Sequence, residues 1–165
     1  MAHTIQTILA ALTACLCEGL EERGRPTCFC GMIPTDPLGT LDVLGCNDSD
    51  DCDGNGSAYV RLVRTFNSTT LPEIDLSGNC TKRAIELEVG IMRCIPFITE
   101  NGSQPSVEEH AASTELVLSD MEAMRSIISC CLADMKLKHV LGEYAVFPSE
   151  LGFGGGYWQV FSRVS

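Results

Sequence analysis

Residues 83–96 read RAIELEVGIMRCIP, and the period of this stretch decides the fold. Ile85, Leu87, Val89 and Ile91 alternate with Glu86, Glu88 and Gly90. Period two is the β pattern, because successive side chains leave a strand on opposite faces. The alternation predicts one buried face and one wet face, and Pro96 closes the strand. Upstream, SAYVRLVRTF (57–66) makes a second strand with Ala58, Val60 and Leu62 on one face. NSTTLPEIDLSGNC (67–80) supplies loop chemistry between the two.

Beyond the strand the period changes. Ser106 with Glu109 makes a capping box. Val107, Ala111, Val117, Leu118, Met121, Met124, Ile128, Cys131, Leu132 and Met135 then recur on one helical face. Either one helix runs to about Lys138 or two pieces meet near Ser113. At this spacing the Met and Cys stripe reads as core, and Lys136, Lys138 and His139 suit the negative end of the helix dipole. GEYAVF (142–147) and GYWQVFSRVS (156–165) follow as two further strands. PSELGFGGG joins them as a flexible loop or hairpin tip. Trp158, Val160 and Val164 share one face of the last strand.

At the other end of the chain, Ile5, Ile8, Leu9, Leu12, Cys15, Leu16 and Leu20 recur at three- and four-residue steps. They predict an amphipathic helix over 4–23, ended by Gly24 and Pro26. The same residues superficially resemble a secretory leader with a cleavage box at Leu12–Cys15. No Lys or Arg precedes them and Gln6 interrupts the apolar run, so the helix is the better account. Residues 26–58 form a long irregular arm rich in Cys, Asp, Gly and Pro, with one short strand around Thr27–Met32. The expected architecture is a single α+β domain over 1–165. An antiparallel sheet is packed on by the N-terminal helix and the long central helix, and the body spans 57–165.

The chain has 165 residues and a net charge of −11, so it lacks the basic surface that nucleic-acid binding needs. No apolar run approaches the ~20 residues of a membrane span. Ten cysteines raise the question of disulfides or metal. DCDGNG (51–56) opens like a calcium loop, with Asp51, Asp53, Asn55 and Gly56 in place. The twelfth position, where the closing Glu belongs, is Leu62, so no metal is expected there. Cys28-x-Cys30 and Cys46-x5-Cys52 gather four thiols, but the one-residue gap of the first pair is unusual for structural zinc sites, and Cys15 and Cys17 leave a helix about 200° apart. A Cys46–Cys52 bond would pin the acidic turn, and a Cys80–Cys94 bond would tie a loop to its strand. The alternative is buried free thiols acting as small hydrophobes. Of the adjacent Cys130 and Cys131, at most one faces the core. Four N-x-S/T sequons (Asn47, Asn67, Asn79, Asn101) count for little in loops of this composition. No nucleophile, paired-carboxylate or histidine motif indicates an enzyme, and no cofactor is implied.

The order CDGNGSAYVRLVRTF, LPE, RAIELEVGIMRCIP, LSDMEAMRSIISCCL, GFGGGYWQVFSRV resembles small virion proteins of tailed phages of actinobacteria. These are encoded between the head connector and the tail tube. The shared pattern is a cysteine-bearing turn before a VR strand, then VG-x-x-RC-x-P and GG-x-W-x-V, over roughly 46–165. The helix–sheet–helix–sheet order resembles tail terminators, α+β subunits that form a six-fold ring capping the tube below the head stopper. The resemblance implies a structural virion component, made in the host cytoplasm, whose partners are itself, the major tail tube protein and the head-to-tail stopper. Cys52, Arg61, Arg93, Cys94, Gly155, Gly156 and Trp158 match its motif positions. It implies stabilising roles for Cys52 and Cys94, a core or ring-interface anchor at Trp158, and Asp120 as polar partner of one of the arginines. The competing classes are another neck protein such as the stopper, or a secreted disulfide-rich or metal-binding module.

Overall fold

The computed structural model describes residues 3–37, 55–77, 82–96, 102–148 and 153–164. In chain order the elements are α1 (Ile5–Glu22), β1 (Phe29–Met32), β2 (Ser57–Ser68), β3 (Lys82–Cys94), α2 (Val107–Asp134), β4 (His139–Val146) and β5 (Phe153–Arg163). The strands form one sheet in the order β1-β2-β3-β5-β4. All neighbours are antiparallel except β1 and β2, which run parallel. The class is α+β, with both helices packed on one face.

α1 forms as its periodicity dictates. Thr4 caps it by accepting from the Thr7 amide, and Ile8, Leu12, Leu16 and Leu20 are buried along one stripe. That stripe meets Met124, Ile127, Ile128, Cys131 and Leu132 of α2. Both lie on Ile85, Leu87, Val89 and Ile91 of β3 and Val160 of β5. The β3 alternation therefore marks the main core.

The opposite face of β3 is not wet. Glu86 and Glu88 are only 6% and 3% exposed, which corrects the expectation of one solvated face. A second apolar cluster of Ile33, Tyr59, Met92, Phe147 and Phe153, with Phe29 and Tyr157 beside it, lies on this side. Burial here is possible because each carboxylate has an arginine partner on β2. Gly90 completes this layer. It sits in register with Tyr59 and Tyr157, and a Cβ on it would lie 2.6 Å from the Tyr59 ring.

The glycine-rich run is strand and not a loop tip. Phe153–Gly156 pairs with Ile91–Cys94 and is buried. Gly155 has φ +125°, and a Cβ there would fall 2.1 Å from the Ile91 carbonyl oxygen. Only glycine lets β5 approach β3 so closely.

α2 is one continuous helix of 28 residues with the predicted Ser106–Glu109 capping box. It ends at Asp134 and not near Lys138. Lys136 adopts φ +55°, and β4 begins at His139, three residues earlier than GEYAVF suggested. Its first half also departs from expectation. No residue from Val107 to Ser119 is buried, and core contact starts at Asp120.

Among the described residues every cysteine except Cys130 is disulfide-bonded, which overturns the alternative of free buried thiols for these positions. Cys15 joins Cys131 and Cys17 joins Cys30, while Cys28 and Cys94 are disulfide-bonded as well. The angular divergence of Cys15 and Cys17 has a simple consequence: one sulfur points to α2, the other to β1. Of the adjacent pair, Cys131 faces α1 and Cys130 is exposed and free.

Candidate functional site

Asp120 is the first buried residue of α2, and it is charged, at 1% exposure. Its Oδ2 accepts from Arg93 Nε at 2.7 Å, and its Oδ1 accepts from Arg93 Nη2 at 3.1 Å and Arg25 Nη1 at 2.7 Å. Arg93 comes from the end of β3. Arg25 follows the αL turn at Gly24 that ends α1. Arg93 Nη1 also donates to the carbonyls of Pro26 (2.7 Å) and Asn55 (2.5 Å), and Nη2 reaches the Arg25 carbonyl at 3.4 Å. Every N–H of the Arg93 guanidinium is thus engaged, as a buried guanidinium requires. Arg25 Nη2 additionally bonds Ser119 Oγ. The sequence placed Asp120 beside an arginine; Arg25, lacking any motif, was missed.

A second polar group lies on the helix-free face. Glu88 accepts from Tyr59 OH at 2.5 Å and from Arg61 Nη2 at 2.6 Å. Arg64 Nε donates to Glu86 at 2.5 Å and its guanidinium stands over the Phe66 ring. Burial, followed by the Glu88 hydrogen bond, pushes the Tyr59 hydroxyl well above the usual tyrosine range. Burial opposes the Arg61 charge, but the Glu88 hydrogen bond and its charge outweigh that and raise Arg61. Tyr144 is pushed up to about 12, by burial and then by the Asp120 charge. Tyr157 is raised by burial and by Glu88. Each carboxylate is held by one arginine, and Glu88 by Tyr59 as well.

Trp158 belongs to the core between sheet and helix. Its ring packs 5.4 Å from Tyr144, and its indole N–H donates to the Met121 carbonyl at 3.0 Å. Gly155 and Gly156 are close-approach positions of β5, opposite Met92 and Ile91. Arg61 and Arg93 do not meet: one serves each face of the sheet. Cys94 is disulfide-bonded; Cys46, Cys52 and Cys80 lie outside the described residues, as do Asp51 and Asp53 of the calcium-like loop. With Cys30 bonded to Cys17 and Cys28 also in a disulfide, two of the four sulfurs considered for zinc cannot serve as thiolate ligands. Among the described residues no group of three or more His, Cys, Asp or Glu could hold a metal ion, and no helix is long and apolar enough to cross a membrane.

The third feature is apolar. Where α2 overhangs the sheet, its exposed half borders a groove of about 320 Å³ lined by Ile95, Val117, Leu118, Val146, Phe147 and Phe153, with His110 at its edge. Val107, Leu118 and Val146 are 80%, 53% and 67% exposed. The helix stripe supplied the residues, but the sequence could not show that the sheet ends before it covers them.

No protein-family model matches the chain, and no curated protein matches it.

Replacing Asp120 with Asn leaves Arg93 desolvated without its counter-charge. Asp120→Asn is expected to cost about 3–5 kcal/mol, read from the denaturant midpoint of the single tryptophan, which contacts the adjacent residue Met121. The tyrosines give a pH test. All three are raised above the ordinary value of 10.0 in the folded chain. Their neutral forms are favoured by folding, so their contribution to stability is complete below pH 10 and declines as pH rises toward 12. Spectrophotometric titration should show little tyrosinate at pH 10 in the folded protein and its appearance on unfolding. Ordinary titration of all three in the folded state would contradict the buried network.

Proposed function

We propose that the protein is a structural subunit of a phage neck: a tail terminator that assembles into a six-fold ring, caps the tail tube and joins it to the head-to-tail stopper. The observation that carries this is the bare half of α2. From Val107 to Ser119 no residue of the helix is fully buried and only Ser113 and Val117 are half-buried, yet it presents Leu116, Leu118 and Val107 and borders an apolar groove. A helical segment of this length is marginal in water without packing. Exposed apolar surface that continues into a groove is characteristic of an interaction site. A neighbouring copy is the occupant a ring subunit requires.

The rest of the fold suits the role. The sheet is buried on both faces at its centre, one disulfide ties its edge strand to α1 and another ties α1 to α2, giving a stiff block whose overhang and rims remain for contacts. The role is mechanical, with the major tail tube protein and the stopper as further partners, and it takes no cofactor. Chains made in a reducing cytoplasm would close their disulfides after release from the cell.

One observation favours a different class. Every described cysteine except Cys130 is disulfide-bonded, as in a secreted disulfide-rich module. Intact mass with and without reduction separates the two. Near-complete disulfides together with a cleaved N-terminal signal support secretion. An N-terminus retained at Met1 or Ala2 supports the neck subunit.

Native mass spectrometry of the purified chain is expected to show a six-membered assembly. Leu118→Glu should reduce it to monomer while leaving the monomer's thermal midpoint nearly unchanged, because Leu118 is exposed in the single chain. A wild-type chain that stays monomeric with and without tail tube protein would overturn the proposal.

A further inference from the structure

The described residues of the Asp120 cluster carry more positive than negative charge. Among the described residues, Arg25 and Arg93 ion-pair with one carboxylate, Asp120, and the side chains of the three are 20%, 4% and 1% exposed. Two guanidiniums around one carboxylate leave an excess positive charge in a largely desolvated place, where an uncompensated charge is costly. Arg23 adds a third. Its Nη1 donates to the Gly19 carbonyl at 2.9 Å, which holds the side chain at the end of α1. Arg23, Arg25 and Arg93 line one cleft of about 200 Å³, together with Gly24, Pro26, Asn55 and Leu116. Three of the eleven basic residues of a chain with net charge −11 therefore meet at a single opening.

We propose that this cleft binds an oxyanion, a phosphate or carboxylate group, held by Arg23 and Arg25 with Arg93 behind them. The division of labour follows from the hydrogen bonds. Arg93 has all its donors committed, so it contributes charge and fixes Asp120. Asp120 in turn orients Arg25 at the cleft, and Arg23 closes the outer side. Planar guanidinium groups in this arrangement suit an oxyanion better than lysine would, since the fork directs paired N–H donors. Leu116 and Pro26 give the opening an apolar wall, which lowers the local dielectric and strengthens the charge interaction. Volume and charge both fit a single anionic group and not an extended polyanion.

The test uses the full chain and two probes, inorganic phosphate and succinate, titrated against chloride at matched ionic strength. Thermal midpoint is the first readout and isothermal calorimetry the second. A saturable rise in midpoint is expected with at least one probe. Arg23→Gln removes a donor without touching the Asp120 pairs and should weaken the apparent affinity by about tenfold; Arg23→Glu should abolish it. Circular dichroism of both variants checks that they remain folded. Saturation by phosphate alone identifies a phosphate-bearing ligand, whereas saturation by succinate, alone or with phosphate, identifies a carboxylate-bearing one. No saturable response to either probe, or an unchanged response in folded Arg23→Gln and Arg23→Glu, overturns the proposal.

Discussion

Asp120 sits at the middle of α2 with both carboxylate oxygens taken by guanidinium groups that arrive from elsewhere in the chain. Arg93 brings the end of β3, Arg25 brings the exit of α1, and the carbonyls of Pro26 and Asn55 bring the two ends of the intervening arm. An apolar stripe alone would let α2 slide or rotate on the sheet, because hydrophobic contact has no direction. A carboxylate that must meet two fixed guanidiniums allows one register. The same contact sets where the helix enters the core, and so how much of it overhangs. Buried ion pairs are weak sources of net stability; the role of this one is to specify position.

Covalent links reinforce that geometry from the other side of α1. The Cys15–Cys131 bond holds α1 to the second half of α2, and Cys17–Cys30 holds it to the edge strand β1. The first closes a loop of 116 residues in sequence, the kind of long-range link that restricts the unfolded chain most in the chain-entropy account. The Cys15–Cys131 bond, the Asp120 ion pairs and the Trp158 bond to the Met121 carbonyl converge on residues 120–134 of α2. Among the described residues, only the Arg25 bond to Ser119 and the half-buried Ser113 and Val117 hold residues 107–119. The helix is thus clamped along one half and free along the other.

Much of the fold was legible because it rests on periodicity. The β3 alternation, the α1 stripe and the Ser106 capping box are local signals, and each element formed where its pattern lay. What the sequence hid depends on contacts between distant segments. Glu86 and Glu88 read as solvent-facing because nothing local reveals that Arg64 and Arg61 stand opposite them on β2. GFGGG read as a loop because glycine lacks strand propensity, whereas its lack of a side chain is what admits it between β3 and β4. The Cys15–Cys131 and Cys17–Cys30 pairings cannot be deduced from spacing. At the candidate site Asp120 and Arg93 were singled out only through the family resemblance, with Asp120 as partner of one of the arginines. Arg25 and the net charge of the cleft were not.

The uneven clamping of α2 links the fold to the proposed assembly. Residues 120–134 belong to the core of one chain; in the proposed assembly residues 107–119 would gain their burial from another molecule. Hydrogen exchange of the full chain, followed by mass spectrometry across a range of protein concentrations, tests this directly. The account predicts that amides of 120–134 exchange slowly at every concentration, while those of 107–119 exchange quickly in dilute protein and become protected as concentration rises. Protection of 107–119 that is already complete in dilute monomer, or that never changes with concentration, would contradict it.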